Sequence, residues 1–218
     1  PDTAVTTPVP ATSAMVSSED VRDHFLDVAY TATNRLERLD YNLGSPRVVI
    51  SVVSAGDDDV ALIEKTAQDF NDASPTVRIS ENIKDAGTGD IVMKFLPQDG
   101  LSAISLDQVA ESGSLSDLLT RREFFQGGVP AAKIVRGTID INANLRGTAR
   151  GHVIVRSLMY QMGLTGESTK FSDSVFYAAE NSNTKLSTVD KKVITMLYAT
   201  EFENGMTMEE LRKVLYLP

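Results

Sequence analysis

The chain has 218 residues, 42% of them hydrophobic, with 21 Lys and Arg against 30 Asp and Glu and a formal charge of -9. That is enough apolar material for the core of one large domain, and a field of this sign repels nucleic acid and anionic membrane surfaces unless a local basic patch overrides it. The absence of cysteine excludes a disulfide framework, a thiolate metal site and a cysteine nucleophile, and no apolar run approaches the roughly 18 residues that span a bilayer.

Pro1 to Val16 is a Thr, Pro, Ala, Ser and Val segment whose only charge is Asp2, and Pro1, Pro8 and Pro10 deny it regular hydrogen bonding. Residues 1–17 are therefore expected to form a disordered stalk and residues 18–218 a single domain. Such a stalk separates a surface domain from its membrane attachment, although a plain linker has the same composition. No signal-peptide pattern opens the chain at Pro1, so an export signal or lipid anchor is expected upstream of it.

Ser17 and Ser18 before Glu19 and Asp20 read as a hydroxyl cap and an acidic first turn. The helix is expected to run to about Asp40 on the stripe Val21, Phe25, Val28, Ala29, Ala32, Leu36 and Leu39, with Asn42, Gly44 and Pro46 stopping it. His24 lies beside this stripe; no nearby carboxylate is spaced to join it, so it reads as a partly buried histidine rather than a ligand. Arg47 to Ser54 is a β-branched run suited to burial on both faces of a sheet. A helix follows from Asp57, with Val60, Ile63, Ala67 and Phe70 on one face, until Ser74-Pro75 ends it. Asp57, Asp58 and Asp59 complement the dipole of that helix more simply than they bind a metal. Strands are expected near Thr76 to Glu81 and, after the Gly87-Thr88-Gly89 turn, from Ile91 to Phe95. This β-α-β-β order points to an α/β sheet.

Leu96 to Val129 mixes turn formers with a short helical pattern from Ser114 to Glu123, and Phe124 and Phe125 are expected to plug this connection to the core. Lys133 to Asn142 alternates as one half-exposed strand at or near the edge of a cleft, with Ile134, Arg136, Thr138, Asp140 and Asn142 on one face.

The chain then enters its central stretch, Gly151 to Ser168. Val155, Leu158, Met159 and Met162 share the core face of a helix, and His152, Arg156, Tyr160 and Gly163 form the adjacent stripe. Gly163 interrupts the helix, and Leu164-Thr165-Gly166 turns the chain so that Glu167 folds back toward the stripe. Arg156 to Ser168 resembles the extended zincin signature of the metzincin peptidases. There, two histidines one turn apart and a third after a glycine turn hold zinc, and a glutamate activates water. Downstream, Asp173-Ser174-Val175-Phe176-Tyr177 resembles the Ser-Val-Met-Tyr turn beneath the zinc, with Phe176 in the methionine's place. Leu186-Ser187-Thr188-Val189-Asp190 opens a capping box and a helix through Val193, Ile194, Leu197 and Tyr198. Glu203 to Leu211 is similar to the end of an uncharacterised family of exported zincin-like domains in which the metal motif is often incomplete. The likeness is most specific over Gly151 to Leu217.

The resemblance implies a zincin-like α/β (α+β) fold: a mixed β-sheet with an N-terminal helix, a sheet-packing helix, the central helix and C-terminal helices. It also implies lost chemistry. Arg156 and Tyr160 stand at the first two zinc-ligand positions, Ser157 at the general base and Glu167 at the third ligand. A guanidinium has no lone pair to give a metal, and serine is too weak a base to replace a carboxylate. The expected protein is a non-catalytic domain without metal or cofactor, whose vestigial cleft holds His152, Arg156, Tyr160, Glu167 and Phe176. Arg156 is expected either to pair with Glu167 in place of the zinc charge or to lie, with Tyr160 and Glu167, on a solvated helix surface. The implied partner is a peptide or cell-envelope polymer, docking by strand addition beside Lys133 to Asn142, outside the cell or at its surface. Two rivals stay open: a hydrolase using His152 with Glu167 or Asp140, and a structural module of an envelope lipoprotein. Neither histidine has an identifiable serine and acid partner in the sequence, and Gly87-x-Gly89 lacks the rest of a nucleotide fingerprint.

Overall fold

The computed structural model describes residues 17–30, 35–36, 47–80, 83, 88–106, 121–135 and 137–216; of the expected stalk over residues 1–17, all but Ser17 lies outside them. Helix α1 (Ser18–Ala29) starts as its sequence dictates, with the Ser17 hydroxyl accepting from the Asp20 N–H at 3.1 Å. It ends well before Asp40. Tyr30 turns extended, donates its N–H to Leu26 O, and accepts the Met208 N–H on its hydroxyl at 3.0 Å. Leu36 is buried for a different reason than helical spacing. It exchanges two backbone hydrogen bonds of 2.7 Å with the C-terminal segment, donating to Met206 O and accepting from Gly205 N.

The β-branched run divides at Val49 into β1 (Arg47–Val48) and β2 (Ile50–Val53). Helix α2 (Asp57–Ala73) follows, then β3 (Arg78–Ile79), which pairs in parallel with β1, and β4 (Ile91–Leu96), which pairs in parallel with β2. Val49 serves neither ladder fully. It donates its N–H to Asp90 Oδ2 at 2.7 Å and accepts from the N–H groups of Asp90 and Ile91. Gly89 must be glycine here, since a Cβ would lie 2.9 Å from Val49 O.

After α3 (Gln98–Ala103) the sheet is completed by β5 (Arg121–Gln126), β6 (Val129–Val135) and β7 (Thr138–Asn142). Its order is β2-β4-β7-β6-β5, with β2, β4 and β7 parallel and β6 and β5 antiparallel to their neighbours. Two expectations are corrected. Lys133 to Asn142 is a hairpin, not one strand: Gly137 takes φ +80 at the turn, where a Cβ would meet Asp90 O at 2.6 Å. The pairing of Val135 with Thr138 flips the alternation, so Ile134 joins Ile139 in the core and Lys133 joins Asp140 on the other face. The edge beyond this hairpin is β5, and Arg121, Arg122 and Glu123, read as the end of a helix, open it.

Helices α4 (Gly147–Gln161), α5 (Thr188–Leu197) and α6 (Met208–Leu215) complete a mixed α+β fold. Helix α4 packs against β5, β6 and β7 on one side and α2 on another, and every residue from Gly151 to Gln161 is buried. Asp59 joins α2 to α4: it accepts the Gly56 N–H at 3.0 Å and takes Arg150 through two bonds of 2.7 and 2.6 Å. The acids that open α2 therefore serve the fold, one by capping and pairing and two as exposed first-turn charges.

Asp140 lies on β7 in register with Lys94 of β4 and Lys133 of β6. Lys133 turns elsewhere, to Ile104 O at 2.6 Å and Glu123 at 3.7 Å. Burial therefore outweighs the opposing charge of Lys94 and holds the Asp140 carboxyl above its ordinary pKa. A raised acid favours the protonated form in the folded state, so its contribution is complete below the ordinary value of 3.8 and is lost as pH rises through the folded value. Asp140→Asn is expected to raise stability at pH 7 by about 1 kcal/mol, with the difference vanishing in acid. Thermal melts of both proteins from pH 3 to 8 check this, and a more stable wild type at pH 7 contradicts it.

Candidate functional site

Helix α4 stops at Met162, and Gly163 at φ +90 reverses the chain, with Leu164 N–H bonded to Met159 O at 3.1 Å. The reversal turns the carbonyls of Leu164, Thr165 and Gly166 back toward the helix, where Arg156 meets all three. Its Nη1 donates to Leu164 O at 2.9 Å, and its Nη2 donates to Thr165 O at 3.3 Å and Gly166 O at 2.7 Å. The guanidinium is 3% exposed and lies 5.4 Å from the Phe124 ring centre and 5.1 Å from that of Phe176. Burial draws its pKa down to about 10 against the pull of Glu167, which leaves it a cation at neutral pH.

Glu167 does not pair with it. The carboxylate sits 3.5 Å from Arg122 Nη2 in an exposed contact, because the carbonyls already occupy the guanidinium. The solvated alternative fails too, since Arg156 and Tyr160 are both buried and the Tyr160 ring packs edge-on to Phe124 at 5.7 Å. Phe176 is fully buried under Arg156.

Beside this cluster opens a cleft of about 470 Å³. One wall is β5 and its turn, Phe124 to Gly127; the opposite wall is the segment Tyr177 to Asn181; His152 and Arg156 form the floor, and Glu167 and Val175 also border it. Of the two adjacent phenylalanines only Phe124 packs inward. Phe125, the next residue along the strand, is 59% exposed and borders the cleft. Of the expected residues, His152, Arg156 and Glu167 line the cleft, and Tyr160 and Phe176 support it from within the core. Asp140 is not among the lining residues.

His152 Nδ1 lies 2.9 Å from Asn183 O. A carbonyl only accepts, so Nδ1 carries the proton and the Nε2 lone pair of the neutral ring is left for the cleft. Burial lowers the imidazole pKa from 6.5, the Asn183 bond offsets part of this, and the Arg156 charge adds to the lowering. The ring is neutral at pH 7.

A second cluster went unread in the sequence. His24, Ser174 and Asp190 meet in the core, each 0% exposed. Ser174 Oγ donates to Asp190 Oδ1 at 2.5 Å, and His24 Nε2 lies 3.4 Å from Ser174 Oγ and 3.7 Å from Asp190 Oδ1. Asp190 also accepts the N–H groups of Val175 at 3.1 Å and Ser187 at 2.9 Å. The residue types are those of a hydrolase triad, but the serine gives its proton to the carboxylate rather than to the histidine, and none of the three is exposed. The group ties α1 to α5 and to the Ser174 turn. Its only sequence signal is the Ser187/Asp190 capping box, since His24 and Asp190 are far apart in the chain.

A family model described as protein of unknown function (DUF2927) matches residues 19–216. No curated protein matches the sequence significantly. Among solved structures, the crystal structure of myroilysin is similar at a TM-score of 0.39 and 12% sequence identity, over 87% of this chain and 99% of that one.

The geometry around Arg156 separates three substitutions. Arg156→Met removes the cation's three bonds and is expected to cost about 3 kcal/mol of unfolding free energy. Glu167→Gln breaks only an exposed pair and should cost less than about 1 kcal/mol. Ser157→Ala removes a buried hydroxyl that has no hydrogen-bond partner among the described residues and should leave stability level or raise it by about 1 kcal/mol. Urea denaturation measures all three, and equal costs for the first two would mean that the carboxylate, not the carbonyls, holds the guanidinium.

Proposed function

This chain belongs to the DUF2927 family, and we propose that it is a non-catalytic, metallopeptidase-like domain that binds an extended peptide in the cleft beside β5. The observation that carries this reading is the state of Arg156. At the position where the zincin resemblance puts the first zinc ligand, the side chain is a buried cation that gives three hydrogen bonds to the carbonyls of the following turn. The charge of a metal is thus replaced by a fixed guanidinium, and Ser157, Tyr160 and Glu167 supply neither the ligand set nor the base that peptide hydrolysis through zinc requires.

The cleft persists without that chemistry. Strand β5 is the last in the sheet order, so its outer backbone groups are free, among the described residues, of a further strand. A peptide laid along Arg122 to Gln126 would run about 13 Å in extended form and exchange main-chain hydrogen bonds with the edge. Strand addition therefore belongs at β5 rather than beside Lys133 to Asn142, where β7 is interior. The composition of residues 1–16 supports a tethered domain outside the cell or at its surface, with any lipid anchor upstream. Among the described residues no helix is long and apolar enough to cross a membrane.

Metal analysis and a panel of fluorogenic peptides test the first half of the proposal; no stoichiometric zinc and no turnover are expected, and either one found would refute it. Binding of capped hexapeptide mixtures tests the second half. Methylating the backbone nitrogens of a binding peptide should weaken it at least about tenfold, while unchanged binding after methylation would exclude strand addition, and binding of envelope glycans alone would replace the peptide as ligand.

A further inference from the structure

We propose that the cleft selects an uncharged hydrogen-bond donor on its ligand, a side-chain hydroxyl or carboxamide, through the Nε2 lone pair of His152, and that acid abolishes the selection. The inference rests on the peptide-binding reading above and names what that site recognises.

The first support is the fixed tautomer. The bond to Asn183 O obliges Nδ1 to be the protonated nitrogen, and that carbonyl is not free to move. Asn183 donates its Nδ2 to Ser172 O at 2.9 Å and Ser174 O at 3.0 Å, and its N–H to Asn181 Oδ1 at 2.9 Å. Asn181 in turn donates to Ser174 O at 3.0 Å and Tyr177 O at 3.2 Å. Changing the tautomer would set a lone pair against a held carbonyl, so the ring stays as it is and presents an acceptor. The second support is position. His152 is only 8% exposed, and the cleft is where it is exposed; a buried acceptor of this kind is satisfied by water when the cleft is empty and needs a donor once a ligand displaces that water.

The charged groups around the ring narrow the donor. Arg156, one turn along α4, opposes an ammonium or guanidinium at this point, and three of its N–H groups are committed to the turn. Glu167 on the turn and Glu180 on the opposite wall oppose a carboxylate, while Arg122 on β5 is engaged with Glu167. A neutral donor meets none of these objections. Protonation of His152 converts Nε2 into a donor, and an imidazolium bonds a hydroxyl and a methyl ether alike. Discrimination between those two is therefore the property that acid removes.

A positional library of N-acetylated, C-amidated hexapeptides is the probe, with serine, O-methylserine, threonine, valine, asparagine, aspartate or lysine fixed at each position in turn. At pH 7.5 one position should favour serine over O-methylserine, and threonine over valine, by about tenfold. Titration toward pH 4.5 should bring the serine and O-methylserine peptides together with a midpoint below 6.5, the ordinary imidazole value. His152→Phe should bind the same peptides without the preference at any pH. Because that variant alters a buried residue, proton–nitrogen correlation spectra of the wild type give an independent reading, made simple by a chain with two histidines. His152 should show the Nδ1–H tautomer, with Nε2 moving when the serine peptide is added and much less with the O-methylserine peptide. Peptide binding without a donor preference, a preference retained in His152→Phe, or an Nε2–H tautomer would each overturn this inference and leave the peptide-binding reading standing. No binding by any member of the library would overturn both.

Discussion

A cation in a protein core must find acceptors before the core can close, and the fold around Arg156 is arranged to supply them. The carbonyls of Leu164, Thr165 and Gly166 lie in the turn beyond the end of α4 and accept from the guanidinium, so the buried charge and the acceptors of the turn satisfy each other. The arrangement needs Gly163 in its left-handed conformation to bring the carbonyls round. It needs Phe124 from the edge strand and Phe176 from the downstream turn near the guanidinium. Gly166 also donates its N–H to Val28 O at 2.8 Å, which fastens the same turn to α1. One interaction therefore sets the position of an edge strand, a helix end and a loop, and these border the cleft.

Much of the local structure was legible because its causes are local. Ser17, and Ser187 with Asp190, cap their helices through groups three residues apart, and Gly163 stops α4 through its own backbone freedom. The errors share a cause of the opposite kind. The alternation from Lys133 to Asn142 reads as one strand until Gly137 is recognised as a turn residue, and the faces then reverse across it. Strand β5, Arg-Arg-Glu-Phe-Phe-Gln, carries no apolar alternation in its sequence, and its ladder with β6 is a tertiary fact. Helix α1 was extended too far because Leu36 fits the helical stripe yet is buried through backbone bonds to Met206 and Gly205.

The candidate site was legible as a set of residues and not as a set of contacts. His152, Arg156 and Tyr160 read as the stripe beside a core face, which in an ordinary surface helix is wet. Here the helix is buried all round, and its polar groups are tolerated because partners come from distant segments, Asn183 O for His152 and the turn carbonyls for Arg156. A pattern of hydrophobic spacing has no means of showing a polar residue satisfied from elsewhere in the chain. The pairing of Arg156 with Glu167 followed from charge alone, and it failed because three carbonyl dipoles in a dry pocket serve a guanidinium without desolvating a second charge.

The His24, Ser174 and Asp190 group gives the cleft its mechanical character. Asp190 holds the Ser174 hydroxyl and the Val175 N–H, and Ser174 O receives the side chains of both Asn181 and Asn183. The floor acceptor at His152 and the wall from Tyr177 to Asn181 are thus linked through short, buried bonds to Asp190 of α5, and through a longer buried contact of Ser174 with His24 to α1. The β5 wall is different. Its cross-cleft contacts are Arg122 with Glu167 at 3.5 Å and Gln126 Nε2 with Asn181 O at 3.4 Å, the first of them exposed. Long contacts of this kind are lost at little cost, so the compliance of the cleft belongs to the edge strand and its precision to the histidine side. A ligand bound as proposed would break two weak bridges on β5 and meet a preset acceptor opposite, which would place selectivity on the rigid wall and adjustment on the edge strand.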